Sequence, residues 1–263
     1  PRTGRIGTPV QPEAPPRSHD RFRAALMNSV SHDLRTPLST VLGSATTLID
    51  YGAGLKPEVR ADLLLSIREE AERLSRYVGD LLDMTRLEGG GLNVRTDWID
   101  VRDILNAAAD RVSRRLGQRQ VVRDFPAQLS LVEADPGLLE QAVVNVLENA
   151  IAYSPDGTAI ELAAYEDRSS VVISIEDQGR GIPTAELERV FDKFRRMEES
   201  SDRTADQVQG AGLGLAIAKG FVEALRGRIA AASPIRDDAD GGKHGTRILI
   251  SLPKSIATHP DLL

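Results

Sequence analysis

The 263-residue sequence contains no cysteine. Disulfides, thiolate metal sites and thiol nucleophiles are thereby excluded. Histidine is almost as scarce: His19, His32, His244 and His259 are all there are, and none is spaced as a metal-binding pair. There is no run of about 18 apolar residues, so no segment reads as a membrane-spanning helix, and no signal peptide stands at the start. Pro1 is not a start residue, so the chain is expected to be a piece of a longer one. An excess of positive charge is missing too: 33 basic side chains face 39 acidic ones, a net charge of −6. Residues 1–88 carry 12 of each sign, so the acidic excess lies wholly in the remainder. Without a basic stripe no nucleic-acid partner is expected. An anionic ligand in the C-terminal part needs local help from a metal ion, a helix N-terminus or a few placed cations. The hydrophobic share, 41%, is nevertheless ample for a folded core.

Residues 1–18 are rich in proline and read as a disordered leader. Residues 19–53 read as a long helix, because Met27, Val30, Leu34, Val41, Ala45 and Leu48 recur at mostly 3- and 4-residue steps. Gly52 and Gly54 stop it. Residues 57–88 repeat the pattern through Leu64, Ile67, Ala71, Leu74, Val78 and Leu81, with Pro57 in the first turn. Two such helices form a hairpin whose apolar stripe one copy cannot cover; two copies make a four-helix bundle, so a homodimer through residues 19–88 is expected. Residues 89–100 read as a glycine hinge and a first strand over 92–99. From 101 to 253 the pattern is mixed. Helices are expected from Asp100 to about 116, from Asp135-Pro136 to about 152, over about 184–191 and over about 213–225. Strands are expected near 121–125, 129–133, 160–165, 171–176, 228–232 and 246–252. Strands arrive in adjacent pairs, which favours an α+β two-layer sandwich over a doubly wound sheet. Residues 254–263 read as a tail.

Five constellations carry chemistry. On a helical wheel His32 falls almost opposite the apolar stripe, facing water, with Thr36 one turn on and Asp33 adjacent; Pro37 bends the helix there. Asn145 and Asn149 share a helix face ending at Tyr153, and two amide oxygens can help to hold Mg²⁺. Asp177, at the end of an apolar strand, precedes Gly179 and Gly181, a pattern suited to reading a base amino group while the backbone approaches a flat ligand. Lys193, Arg195 and Arg196 open a polar loop and can reach a triphosphate. Gly210, Gly212 and Gly214 precede Leu215 and an apolar helix whose first N–H groups can bind phosphate. Each has an ordinary reading when taken alone: an exposed histidine beside a kink, polar helix surface, a plain turn, a solvated charge run, a hinge.

Their order is what distinguishes them. Ser31-His32-Asp33-Leu34-Arg35-Thr36-Pro37-Leu38, then N-x-x-x-N, D-x-G-x-G, F-x-x-F and G-x-G-x-G resembles the sensor histidine kinases of two-component systems, over about residues 20–253. Around His32 and in the strand containing Trp98 it looks like the KdpD-type sensors linked to potassium supply. The resemblance implies a dimerisation and phosphotransfer hairpin followed by a catalytic domain of the histidine kinase/Hsp90/gyrase-like fold. It implies ATP and Mg²⁺ as cofactors. His32 would be phosphorylated and would pass the group to an aspartate of a response regulator, with Asp33 keeping the ring basic and Thr36 placing water for dephosphorylation. Asn145 would ligate Mg²⁺. Asp177 would read adenine. Asn149, Tyr153, Gly179, Gly181, Lys193, Arg196, Gly210, Gly212, Gly214 and Leu215 would contact nucleotide. The implied location is the cytosolic part of a membrane-bound sensor.

The pattern departs from the family at three places. Ala152 stands where a basic residue is usual, Arg195 where an aromatic is common, and Ala211 where Thr is common. Each removes a nucleotide contact, so slow autophosphorylation is expected, with Lys193 or Arg195 as compensation. Two alternatives remain: an ATPase of the gyrase/Hsp90/MutL type, which should lack the His32 hairpin, and a nucleotide-binding dimeric scaffold that mainly dephosphorylates its regulator.

Overall fold

The computed structural model describes residues 18–195, 212–237 and 243–254, with side chains from residue 34 onward except at 236, 237 and 243. The leader, most of the polar loop and the tail lie outside these residues. Contacts divide the chain into two units, 1–76 and 77–263. The split falls inside the second helix, ahead of the glycine run where the sequence reading divides the chain.

In the first unit, α1 spans Ser18–Tyr51 and α2 starts at Pro57, running on to Glu88. A five-residue turn joins them. Gly52 is required there, because a Cβ would collide with the carbonyl oxygen of Leu48. Pro37 sits inside α1 and is buried, as is Ser44. The anticipated residues Leu34, Val41, Ala45, Leu48, Ile67 and Leu74 are half-buried, while Leu64 is 54% exposed. The apolar face of α1 is also wider than the periodic reading. Leu38, Leu42 and Ile49, which are 58%, 66% and 82% exposed, lie together on the wheel, roughly 75° round from the centre of the anticipated stripe.

The second unit begins with the last turns of α2. Met84 is buried in its core, with Leu81 and Leu87 packed against it. The elements that follow are β1 (Asp97–Ile99), α3 (Val101–Val112), β2 (Gln120–Asp124), β3 (Val132–Ala134), α4 (Pro136–Tyr153), β4 (Ala159–Glu166), β5 (Ser170–Asp177), α5 (Gly214–Ala224), β6 (Arg228–Ala232), β7 (Arg236–Asp237), β8 (Lys243–His244) and β9 (Thr246–Pro253). The main sheet has the order β2-β4-β5-β9-β6, parallel only between β2 and β4. Its buried face is built by register: Leu162 faces Ile175, which faces Ile248, and Ala164 faces Ile173, which faces Ile250. These side chains are at most 3% exposed, and each fully buried Ile or Leu contributes about 1.5–3 kcal/mol. Helix α4 packs against α3, α5 and β5. This is the anticipated α+β sandwich.

Local chemistry explains the helix starts. Asp100 caps α3 by accepting the Arg102 N–H at 2.9 Å. Asp135 caps α4 by accepting the Gly137 and Leu138 N–H groups at 3.0 and 3.1 Å, with Pro136 in the first turn. The far end of α4 is held by Arg119, whose guanidinium donates two bonds to the Ser154 carbonyl, at 2.9 and 2.7 Å, and pairs with Asp156 at 2.8 Å.

Three elements differ from the sequence reading. The strand expected over 92–99 is only Asp97–Ile99. It pairs with β3 in a separate two-stranded sheet, while Leu92 and Val94 bury their side chains without a ladder partner. The helix expected over 184–191 is two 3₁₀ turns, Thr184–Glu186 and Arg189–Phe191, since so short a segment cannot offset helix nucleation. The β7–β8 pair was not anticipated; its strands have two residues each.

Candidate functional site

Asn145, Asn149 and Tyr153 recur every fourth residue along α4 and share one face. Asn145 is 6% exposed. Its Nδ2 donates to the carbonyl of Gly214, the first residue of α5, at 3.3 Å, and its Oδ1 accepts from Gln141 at 3.1 Å. The asparagine therefore joins α4 to the start of α5. Asn149 and Tyr153 are half-buried.

Strand β5 delivers Asp177 to the other end of this face, where it is 5% exposed. Its Oδ1 accepts the Gly179 N–H at 2.7 Å, and the Thr246 backbone N–H also donates to the carboxyl from the paired β9. Burial raises the Asp177 pKa to about 6, against the opposing pull of these two N–H groups. At neutral pH it is mostly an ionised, buried acceptor suited to an amino group on a planar base.

The glycines after it are forced by close approach. A Cβ at Gly179 would lie 2.7 Å from the Tyr153 carbonyl and 2.9 Å from the Asp177 carboxylate. Gly181 has φ +79°, and a Cβ there would lie 2.9 Å from the Ser233 hydroxyl. Between them, the exposed Arg180 places its guanidinium 5.7 Å from the centre of the Tyr153 ring, a cation–π contact.

Gly212 has φ +66° and accepts the Phe194 N–H at 3.1 Å; a Cβ there would meet the Arg195 carbonyl at 2.7 Å. Gly214 opens α5 after Leu213, which has no capping side chain, so no side-chain bond from Leu213 occupies the N–H groups of the first turn. Leu215 packs against the core. Lys193 is paired with Glu88 at 2.6 Å, and Arg195 with Glu186 at 2.5 Å. Both cations offered as compensation for the exposed Ala152 thus hold carboxylates in this state.

The structure therefore brings Asn145, Asn149, Tyr153, Asp177, Gly179 and Gly181 around α4, with Gly214 joined to Asn145. Arg196 and Gly210 lie outside the described residues. So do the side chains of His32 and Asp33, although their backbone is helical in α1. Thr36 is exposed, and its carbonyl accepts the Thr40 hydroxyl at 3.3 Å. Sequence reasoning missed Thr246 and Ser233. The dipeptide Gly245-Thr246 before the last apolar strand is the signal that was there for the first; nothing local marks the second.

Comparison with known proteins gives a family. The model described as His Kinase A (phospho-acceptor) domain matches residues 22–90. The model described as Histidine kinase-, DNA gyrase B-, and HSP90-like ATPase matches residues 134–256. The sensor protein KdpD of Clostridium acetobutylicum is 33% identical over 237 residues, which are 90% of this chain and 25% of that protein. The sensor histidine kinase WalK of Bacillus subtilis is 33% identical over 237 residues, 89% of this chain and 37% of that protein. Among solved structures, histidine kinase ThkA in complex with the response regulator protein TrrA aligns with a TM-score of 0.63 at 18% identity, covering 90% of this chain and 64% of that one, a likeness of fold. The chain spans about a quarter to two fifths of the length of these curated relatives. With a phosphoacceptor hairpin followed by an ATPase-type sandwich, the chain belongs to the histidine kinases of two-component systems.

Proposed function

We propose that the chain is an ATP-dependent protein-histidine kinase core that phosphorylates its own His32 and passes the phosphoryl group to an aspartate of a response regulator. The observation that carries this reading is α4, held between the Asp177–Gly179 turn at one end and the Asn145–Gly214 contact at the other, with the phosphoacceptor hairpin preceding it in the same chain. Adenine binds against the glycine turn with its amino group on Asp177, and the phosphates run along α4 toward the start of α5. Asn145 offers a hard amide oxygen, which suits Mg²⁺, an ion that keeps its waters and phosphate oxygens as remaining ligands. When bound, the ion neutralises phosphate charge.

An imidazole with a pKa of about 6.5 is mostly neutral and nucleophilic at pH 7. Asp33 accepts its other ring N–H, and the free nitrogen attacks the γ-phosphorus as ADP departs. Positioning and charge neutralisation supply the catalysis. Thr36, exposed on α1, orients water for dephosphorylation of the regulator. Pairing of two hairpins covers Leu38, Leu42, Ile49 and Leu64, which a single copy leaves exposed. The chain works in the cytosol, where ATP is supplied. The KdpD-type assignment rests on the sequence around His32 and Trp98; WalK matches at the same identity. Faster phosphotransfer to the regulator that partners KdpD than to the one that partners WalK tests it.

Exposed Ala152, together with the paired Lys193 and Arg195, favours a second reading, a nucleotide-binding scaffold that mainly dephosphorylates. One experiment separates the readings. After incubation with γ-labelled ATP and Mg²⁺, label that is acid-labile, base-stable and absent in His32→Gln is the kinase result. Nucleotide binding without label is the scaffold result, and hydrolysis without label the ATPase result.

A further inference from the structure

Ser233 follows β6 and belongs to no motif noted in the sequence. Its hydroxyl nevertheless sits at the centre of the base-reading turn. The Oγ accepts the Ile182 N–H at 2.7 Å and donates to the Gly245 carbonyl at 2.7 Å. The Gly245 N–H donates in turn to the Gly179 carbonyl at 2.7 Å. Two tight glycines close the arrangement. Gly181, at φ +79°, leaves room for the Ser233 oxygen, and Gly245, at φ +82°, would press a Cβ to 2.9 Å from the Asp177 carbonyl. The hydroxyl thus ties the Ile182 end of the 179–182 loop to Gly245, the residue that precedes Thr246, and the Gly245 N–H holds the other end.

We propose that Ser233 is a positioning residue for base recognition: by clasping the 179–182 loop to the start of β9, it fixes the wall against which a purine lies beside Asp177. It acts through the backbone of that loop, and the proposal rests on the nucleotide-binding reading above. The hydroxyl is needed because the position must accept one hydrogen bond and donate another. Alanine leaves the Ile182 N–H and the Gly245 carbonyl without this partner in a half-buried place, whereas threonine retains both functions.

The test uses the full chain and three probes: ADP, GDP and inorganic tripolyphosphate. Calorimetry on Ser233→Ala is expected to show ADP binding about tenfold weaker, tripolyphosphate binding unchanged within about twofold, and a reduced preference for ADP over GDP. Ser233→Thr is expected to recover ADP binding to within about threefold. Hydrogen exchange at the 179–182 amides should be faster in the alanine variant alone. If Ser233→Ala melts early, Ser233→Cys keeps the packing with weaker bonds and should give the same ranking at smaller amplitude. Equal ADP affinity in wild type and Ser233→Ala overturns the proposal. So does an equal loss for ADP and tripolyphosphate with the ADP/GDP ratio unmoved. A wild-type chain that binds no adenine nucleotide would instead sink the nucleotide reading itself.

Discussion

The buried carboxylate of Asp177 accepts the Gly179 N–H at 2.7 Å, and Gly179 lies against the Tyr153 carbonyl at the end of α4. This contact links recognition to pH. Burial lifts the Asp177 pKa to about 6, well above the ordinary value near 4, so the folded chain holds an extra proton between about pH 4 and 6. Folding stability attributable to this group therefore falls as pH rises through that window, by about 3 kcal/mol. Base binding runs the other way, because the ionised carboxylate is a much stronger acceptor for the amino group than the protonated acid. Adenosine, which has no phosphate to titrate, should bind about tenfold more weakly at pH 5 than at pH 7. Asp177→Asn should bind weakly and without that slope. A wild-type profile flat from pH 5 to 7 would contradict the assignment of Asp177 as the base reader.

Glycines of the turn and of the hinge can be ranked by what a methyl group would strike. At Gly179 it meets backbone and carboxylate oxygens at 2.7 and 2.9 Å, whereas at Gly90, with φ +63°, it meets nothing within 4 Å. Gly90→Ala should therefore cost only the left-handed backbone penalty, roughly 1 kcal/mol, and leave nucleotide affinity unchanged. Gly179→Ala must displace the loop or α4, and should reduce ADP affinity at least tenfold even at a temperature where the chain stays folded. Paired calorimetric and thermal-melt measurements on the two variants check the ranking.

How much of this the sequence could reveal depends on how local the cause is. The caps at Asp100 and Asp135, and the stop at Gly52, are one-turn effects and stand where the residues indicate. The fourfold spacing of Asn145, Asn149 and Tyr153 was legible for the same reason. Non-local pairing was not. That Thr246 lies opposite Asp177 follows from the β5–β9 register across nearly seventy residues, and Ser233 reaches Ile182 only because β6 flanks β9. The strand expected over 92–99 was overcalled for a related reason: its alternation came from burial of Leu92 and Val94, and only Asp97–Ile99 finds a ladder. The width of the α1 stripe was undercounted, because Leu38, Leu42 and Ile49 fill an adjoining arc of the helix.

Asn145 should show a double effect. Its Nδ2 and Oδ1 link Gly214 to Gln141, so Asn145→Ala removes two part-buried hydrogen bonds and costs about 1–3 kcal/mol of stability. It should also remove the Mg²⁺-dependent increment of ATP affinity, measured as the ratio of Kd values with and without the ion. Asn149 is half-buried, and its substitution by alanine should cost less stability. Equal losses of stability in the two variants would show that the Asn145–Gly214 contact carries no weight.

The charge around the phosphates can be rebalanced in two independent ways. Lys193 is held by Glu88 at 2.6 Å, an exposed pair of the kind worth at most about 1 kcal/mol, so a nucleotide phosphate competes readily for the lysine. Glu88→Gln removes that competitor and should raise ATP affinity by up to about threefold, an effect that shrinks at high salt. Ala152 is exposed next to Tyr153 on the α4 face, and Ala152→Lys places a new cation there. It should raise both ATP affinity and the rate of His32 labelling. Because the two changes act on different elements, their effects on binding free energy should add in the double variant. An Ala152→Lys chain with unchanged affinity and rate would show that a missing cation at this position does not limit the reaction.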